Sequence, residues 1–222
     1  MDGKPLDLVL LGPVGAGKGT QARRITTKYG VPHIASGDLL RAQIAENTEL
    51  GRQARIYMDR GALVPDDLVI GMIVERMRQP DASRGMLLDG FPRTLAQARA
   101  LDRELEDEIR VLKLALYLEV PFEVLVERAA GRWTCRTCQT TYNYRVNPPR
   151  KPGICDIDGG ELYQREDDRL EVVSARIKVY IQDTVPVVEY YRERGILRQI
   201  DGTRDIEAVG EEIERQIESA VW

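Results

Sequence analysis

Gly12-Pro13-Val14-Gly15-Ala16-Gly17-Lys18-Gly19-Thr20 is the stretch whose reading decides the fold of this chain. The apolar run Leu8-Val9-Leu10-Leu11 leads into it, and the spacing beyond it predicts a helix over 21–29 stopped by Gly30. Glycines let successive backbone N–H groups turn toward one centre, where they and a helix N-terminus meet an anion that bulkier side chains would block. Lys18 adds a mobile positive charge for the outer oxygens of a phosphate chain. Strand, Gly-x4-Gly-Lys and helix in that order read as a phosphate-binding loop rather than a plain glycine-rich turn.

Outward from the loop, strands and helices alternate. Val31-Pro32-His33-Ile34-Ala35 is a short β-like segment, and Ser36-Gly37-Asp38 opens a helix to about residue 46. A second helical pattern over 50–60 ends at Gly61, and Pro65-Asp66-Asp67 starts another with an acidic first turn. The block 35–64 is therefore expected to be a small helical insertion. Met86-Leu87-Leu88-Asp89 is a buried-type strand whose end delivers Gly90-Phe91-Pro92-Arg93 to a ligand crevice. Thr94 and Gln97 have capping-box spacing at the head of a helix reaching about 108, a structural role that competes with a ligand role for Gln97. A strand over 114–120 follows, with Pro121 at the first position of the next helix. Between 131 and 168 the composition shifts to Cys, Thr, Tyr, Pro and Gly, the mark of an inserted module. Helix over 170–184, bent or restarted by Pro186 and ended by Gly195, a strand over 197–200, and a last helix capped by Asp205 complete the chain. The alternation predicts an α/β fold with about five parallel strands covered on both faces. Residues 1–34, 65–130 and 169–222 would form the core, with 35–64 and 131–168 inserted.

A chain of 222 residues can bury a substantial core, and one α/β domain with insertions suits that length. The net charge of −4 argues against a nucleic-acid binder, so a site for polyanions has to gather its positive charge locally. Arginine outnumbers lysine 26 to 6, which means that an arginine counts only within a motif. The apolar stretch from Leu8 is too short for a signal segment or a membrane span, and a cytoplasmic protein is expected. The single histidine, His33, lies in an apolar segment and reads as structural. All three cysteines fall in Cys135-x2-Cys138-x16-Cys155-x2-Asp158, two pairs of ligand-type residues at knuckle spacing. That pattern reads as a structural Zn²⁺ site. A thioredoxin-like role for Cys135 and Cys138 is the alternative, but no βαβ pattern places them at a helix start.

Gly19 stands where most phosphate loops carry a Mg²⁺-binding hydroxyl, and Thr20 comes one residue late. The form Gly-Lys-Gly-Thr-Gln resembles the nucleoside monophosphate kinases, in which the metal is held largely through water. Four further stretches resemble adenylate kinases in order: Ser36-Gly37-Asp38-Leu39-Leu40-Arg41, Asp89-Gly90-Phe91-Pro92-Arg93-Thr94, Gly131-Arg132 with the cysteine module, and Arg165-Glu166-Asp167-Asp168. The long middle insertion is similar to the large zinc-containing lid of bacterial members. The resemblance implies transfer of a phosphoryl group from ATP to AMP with Mg²⁺, by a monomer that binds neither nucleic acid nor membrane.

It also implies roles by position. Gly15, Ala16, Gly17, Lys18, Gly19 and Thr20 would hold the ATP phosphates, with Arg132, Thr141, Tyr142 and Arg204 completing the donor site. Ser36, Arg41, Ala62, Leu63, Val64, Gly90, Phe91, Pro92, Arg93, Gln97, Arg165 and Arg176 would surround AMP. Lys18, Arg93, Arg132, Arg165 and Arg176 would act on the transferring group, since phosphoryl transfer between anions is catalysed by positioning and positive charge. Asp89, and less directly Asp38, would order the Mg²⁺ waters. Ser36 with Gln97 favours adenine over the pyrimidines. Ser36 in place of the commoner Thr, and Val14 in place of the commoner Pro, are the departures. The rival expectations are a kinase using GTP or accepting UMP or CMP, and a zinc-ribbon protein that senses nucleotides or binds RNA.

Overall fold

In the computed structural model, which describes residues 5–221, the strand ahead of the loop is β1 (Leu6–Leu11), and all six of its residues are buried. Residues 1–4 and 222 of the expected core spans lie outside the described residues. The unbroken apolar run follows from burial on both faces: Leu8 and Leu10 enter one core layer, Val9 and Leu11 the other.

The elements follow in the order α1 (Lys18–Tyr29), β2 (His33–Ala35), α2 (Ser36–Ala45), α3 (Glu49–Met58), α4 (Asp66–Met77), β3 (Gly85–Asp89), α5 (Leu95–Asp107), β4 (Leu112–Glu119) and α6 (Phe122–Ala130). Then come β5 (Arg132–Cys135), β6 (Thr141–Asn143), β7 (Leu162–Tyr163), α7 (Leu170–Val179), a π-helical turn (Tyr180–Thr184), α8 (Val185–Glu193), β8 (Leu197–Asp201) and α9 (Ile206–Val221). The main sheet has the order β2-β3-β1-β4-β8 and is parallel throughout, with Leu8 beside Leu87 of β3 and Leu114 of β4. Since β1 is central, the chain crosses to one side for β3 and to the other for β4. A crevice therefore opens beyond the carboxyl ends of these strands, where the phosphate loop begins.

Helices α1, α6, α7 and α9 cover one face through Ile25, Leu125, Ile177 and Ile213, among others. The opposite face packs on α4, α5 and α8 through Ile73, Leu101 and Tyr191. Of the two prolines expected at helix starts, one sits a position earlier than expected. Pro121 is the N-cap of α6, not its first residue. Pro186 restarts the helix, one of the two expected outcomes: it sits in the first turn of α8, and the chain before it widens into the π-helical turn. A proline ring clashes with the carbonyl four residues back, and a wider turn relieves that contact.

The segment that changes composition folds as a three-stranded antiparallel sheet, β6-β5-β7, around a small core of Cys135, Tyr142, Cys155 and Leu162. No helix among the described residues is long and apolar enough to cross a membrane.

Candidate active site

The phosphate loop is shaped by its contact with α6. Gly15 has φ 86°, and a Cβ there would lie 2.4 Å from the Leu125 carbonyl oxygen, so no side chain fits. The turn ends at the N-terminus of α1, where Lys18 donates to the Pro13 carbonyl at 3.2 Å and stands 3.9 Å from Asp89. Burial draws the Lys18 pKa down to about 8, and Asp89 offsets part of that shift. An anion in the loop would reverse the penalty.

Asp89 closes β3. Burial by itself would raise its carboxyl, but Lys18 and His33 outweigh burial and hold it below the usual range. His33 Nε2 lies 3.3 Å from Asp89 Oδ2. The histidine that reads as structural from its apolar neighbours is thus the lateral partner of a site carboxylate. Directly after Asp89, Ser36 Oγ and Arg93 Nε both donate to the Gly90 carbonyl at 2.7 Å. The main chain of Arg93 is held at both ends: its N–H donates to Gln97 Oε1 at 2.8 Å, and its carbonyl accepts from Thr184 Oγ1 at 3.0 Å. Thr94 caps α5 as expected, while Gln97 reaches back to Arg93 instead of closing the box on Thr94, and its amide nitrogen donates to Asp66 at 2.7 Å.

Lys18 and the arginines Arg41, Arg93, Arg132, Arg165 and Arg176 all line one cavity of about 670 Å³. They come from six separate parts of the chain. Two acidic residues at the foot of the inserted module keep them apart. Asp168 accepts from Arg132 at 2.8 Å, and Asp167 accepts from Arg176 at 2.8 Å while lying 3.7 Å from Arg41. Asp38 sits among the arginines too, bonded to Arg41 and 3.7 Å from Arg165, rather than beside Lys18. Burial lowers the pKa of Arg93 and of Arg165 and takes that of Arg176 to about 10. Crowded cations in a poorly hydrated crevice favour an incoming polyanion, and that is what the arrangement can do chemically.

The same cavity takes in Gly15, Ala16, Gly17, Gly19, Thr20, Gly90, Pro92, Thr141, Tyr142 and Arg204. A second, smaller one of about 50 Å³ beside it is lined by Ser36, Ala62, Leu63, Val64, Gly90 and Gln97. Phe91 lines neither: it is buried in the core layer under α4 and α5. Arg128 was not singled out by the sequence, yet it lines the large cavity and donates to the Gly202 carbonyl at 2.7 Å. Nothing but its place one turn before Gly131-Arg132 could have marked it. Asp167 and Asp168 were visible as part of a motif, but their pairing with arginines was not.

In the antiparallel module, ligand atoms of Cys135, Cys138, Cys155 and Asp158 all lie within 4.8 Å of one another. The thiols are free, and Thr137 N–H donates to Cys135 Sγ at 3.3 Å as Ile157 N–H does to Cys155 Sγ at 3.5 Å. Amides aimed at sulfur favour thiolates, and four soft or anionic donors at this spacing fit a tetrahedral ion of the zinc type.

A family model described as adenylate kinase matches residues 10–196. The chain belongs to the adenylate kinase family. It is a phosphotransferase with a phosphate group as acceptor, acting between ATP and AMP. An adenylate kinase of Archaeoglobus fulgidus is 51% identical over 96% of this chain and 98% of its own length. One from Carboxydothermus hydrogenoformans is 50% identical over 92% and 95%, and one from Staphylococcus aureus 48% identical over 94% and 97%.

Proposed function

We propose that the large cavity holds the reacting ends of both nucleotides during ATP + AMP ⇌ 2 ADP, and that the smaller one receives the adenine of AMP. The observation that carries this is the convergence of Lys18 and five arginines on one crevice at the carboxyl ends of β1 and β3. The loop amides and Lys18 hold the ATP phosphates; Arg41, Arg93 and Arg176 hold the AMP phosphate; Arg132 and Arg165 approach the transferring group from the lid. Bidentate guanidinium forks suit phosphate oxygens, and the acceptor phosphate is already ionised, so no general base is needed. Mg²⁺, bound with ATP, would supply charge neutralisation, its waters ordered by Asp89 and more remotely by Asp38. Ser36, Val64 and Gln97 select adenine.

Residues 35–64 and 131–168 act as two mobile covers on the core 1–34, 65–130 and 169–222, and their closure excludes water that would otherwise take the phosphoryl group. The Cys₃Asp cluster holds a structural Zn²⁺ that braces the lid and leaves no position for substrate. The protein works as a monomer, and three free thiols suit the cytoplasm.

Lys18→Ala and Arg93→Ala should each lower kcat by about 10²-fold or more with an unchanged fold, as expected for charges that act on the transition state. Arg136→Ala is the control, because Arg136 pairs with exposed Glu161 and lines neither cavity. A coupled ADP-formation assay with circular dichroism decides the matter. Near-parent turnover in Lys18→Ala or Arg93→Ala removes that residue from the site.

A further inference from the structure

Six buried side-chain polar atoms among the described residues have no hydrogen-bond partner: Gln21 Oε1, Arg41 Nε, Thr134 Oγ1, Arg165 Nε, Tyr180 OH and Tyr191 OH. A buried group left unpaired costs stability, so each calls for an explanation. Four of the six belong to residues lining the large cavity, namely Gln21, Arg41, Arg165 and Tyr180. The arginines are accounted for by the anion the site awaits. Tyr180 is not, and no role in the reaction has been given to it above.

Tyr180 opens the π-helical turn between α7 and α8. Within that turn Tyr180 and Thr184, four residues apart, both line the cavity, and Thr184 is the residue that fixes the Arg93 carbonyl. A single wide turn inside an α-helix recurs at functional sites because it redirects side chains that a regular helix would send elsewhere. Here the phenol lines the same cavity as Gly12, the first residue of the phosphate loop, and Arg93. Burial holds the hydroxyl protonated well beyond any working pH. A phenol in that state has one proton to donate, and no acceptor among the described residues receives it.

We propose that Tyr180 contacts the substrate during transfer, its hydroxyl donating a hydrogen bond to a phosphoryl oxygen that arrives with the nucleotides. This rests on the reading of the cavity as the transfer site. The unpaired donor lines that site together with the phosphate loop and Arg93.

The molecule contains its own control. Tyr191 on α8 also buries an unpaired hydroxyl, but it packs in the core under β4 and lines neither cavity. Tyr180→Phe and Tyr191→Phe each delete one oxygen and keep the ring. In the nucleotide-free protein both should leave Tm unchanged or raise it, since an unsatisfied buried hydroxyl is removed. In a rapid-quench single-turnover assay, where product release does not mask the transfer step, Tyr180→Phe should slow transfer about tenfold or more, the loss expected for one charge-assisted hydrogen bond, with KM for ATP and AMP within about threefold of the parent. Tyr191→Phe should transfer at the parent rate. A Tyr180→Phe transfer rate within about twofold of the parent, a loss confined to KM, or a fall in its nucleotide-free Tm would overturn the proposal. Lys18→Ala, run alongside, separates the two readings: if it is inactive while Tyr180→Phe is normal, the site stands and the role of Tyr180 does not.

Discussion

Ile109 is the residue at which local geometry and residue type conflict most plainly. Helix α5 ends in a Schellman turn, with Ile109 N–H donating to Glu106 at 3.0 Å and Arg110 N–H to Leu105 at 2.7 Å. That turn requires a left-handed residue after the cap, and Ile109 supplies it with φ 57° while 94% exposed. A β-branched side chain in this conformation is strained, and its exposure gives nothing back. The turn is kept because it aims Arg110 at Asp7, a wholly buried carboxylate at the start of the central strand. Ile109→Gly should therefore stabilise the protein by about 1 kcal/mol, raising Tm by roughly 2–4 °C in a chain of this size. Calorimetry checks it; a lower Tm means the isoleucine has a contact that its exposure conceals.

At the scale of elements, the first and last helices are joined across one face of the sheet by a charge cluster. Glu214 of α9 accepts from Arg24 at 2.5 Å and from Lys28 at 2.8 Å, both on α1, and Lys28 also reaches Glu218 at 2.8 Å. Hydrogen bonds from Arg24 and Lys28 hold the Glu214 carboxyl below its ordinary value of 4.5. The depressed pKa means that the stabilisation is complete above the unfolded value and is lost as pH falls through the lower, folded one. The partners are exposed enough for water to screen them, so Glu214→Gln should cost no more than about 1 kcal/mol at pH 7. The gap in Tm between parent and variant should narrow as the pH drops from 5 to about 3. A gap independent of pH would mean that the glutamate acts through packing alone.

For the molecule as a whole, the parallel sheet and the small antiparallel module, the proposed lid, rest on different physics. The core has two apolar layers on a parallel sheet, whereas the lid's own core has four buried residues, two of them cysteines. A module so poor in apolar contacts would depend on the ion proposed for its Cys₃Asp cluster. Purified protein should carry about one zinc per chain, as a closed four-ligand site requires. A zinc-selective chelator should lower Tm by more than about 5 °C, with the lid loosening before the core. Activity well below that temperature, assayed in excess Mg²⁺, should persist in part. Asp158→Cys should keep the metal and Cys138→Ser should lose it. Freshly purified protein without zinc, and with a Tm indifferent to chelation, would return the cysteines to a purely packing role.

The sequence by itself determined what depends on neighbours along the chain. The phosphate loop, the buried strand before it, the alternation that requires a parallel sheet, and the paired ligands of the knuckle are all local patterns, because glycine conformation, hydrophobic period and ligand spacing act over a few residues. The cations of the site were legible only through motif resemblance, in a chain where arginine is common. Tertiary structure alone decided which carboxylate meets which arginine, that His33 flanks Asp89, that Arg128 enters the cavity and Phe91 does not, and that the turn before Pro186 brings Tyr180 into the cavity. These facts depend on strand order and on distances between residues far apart in sequence. They are fixed by packing against the two faces of the sheet, which no periodicity within one segment encodes.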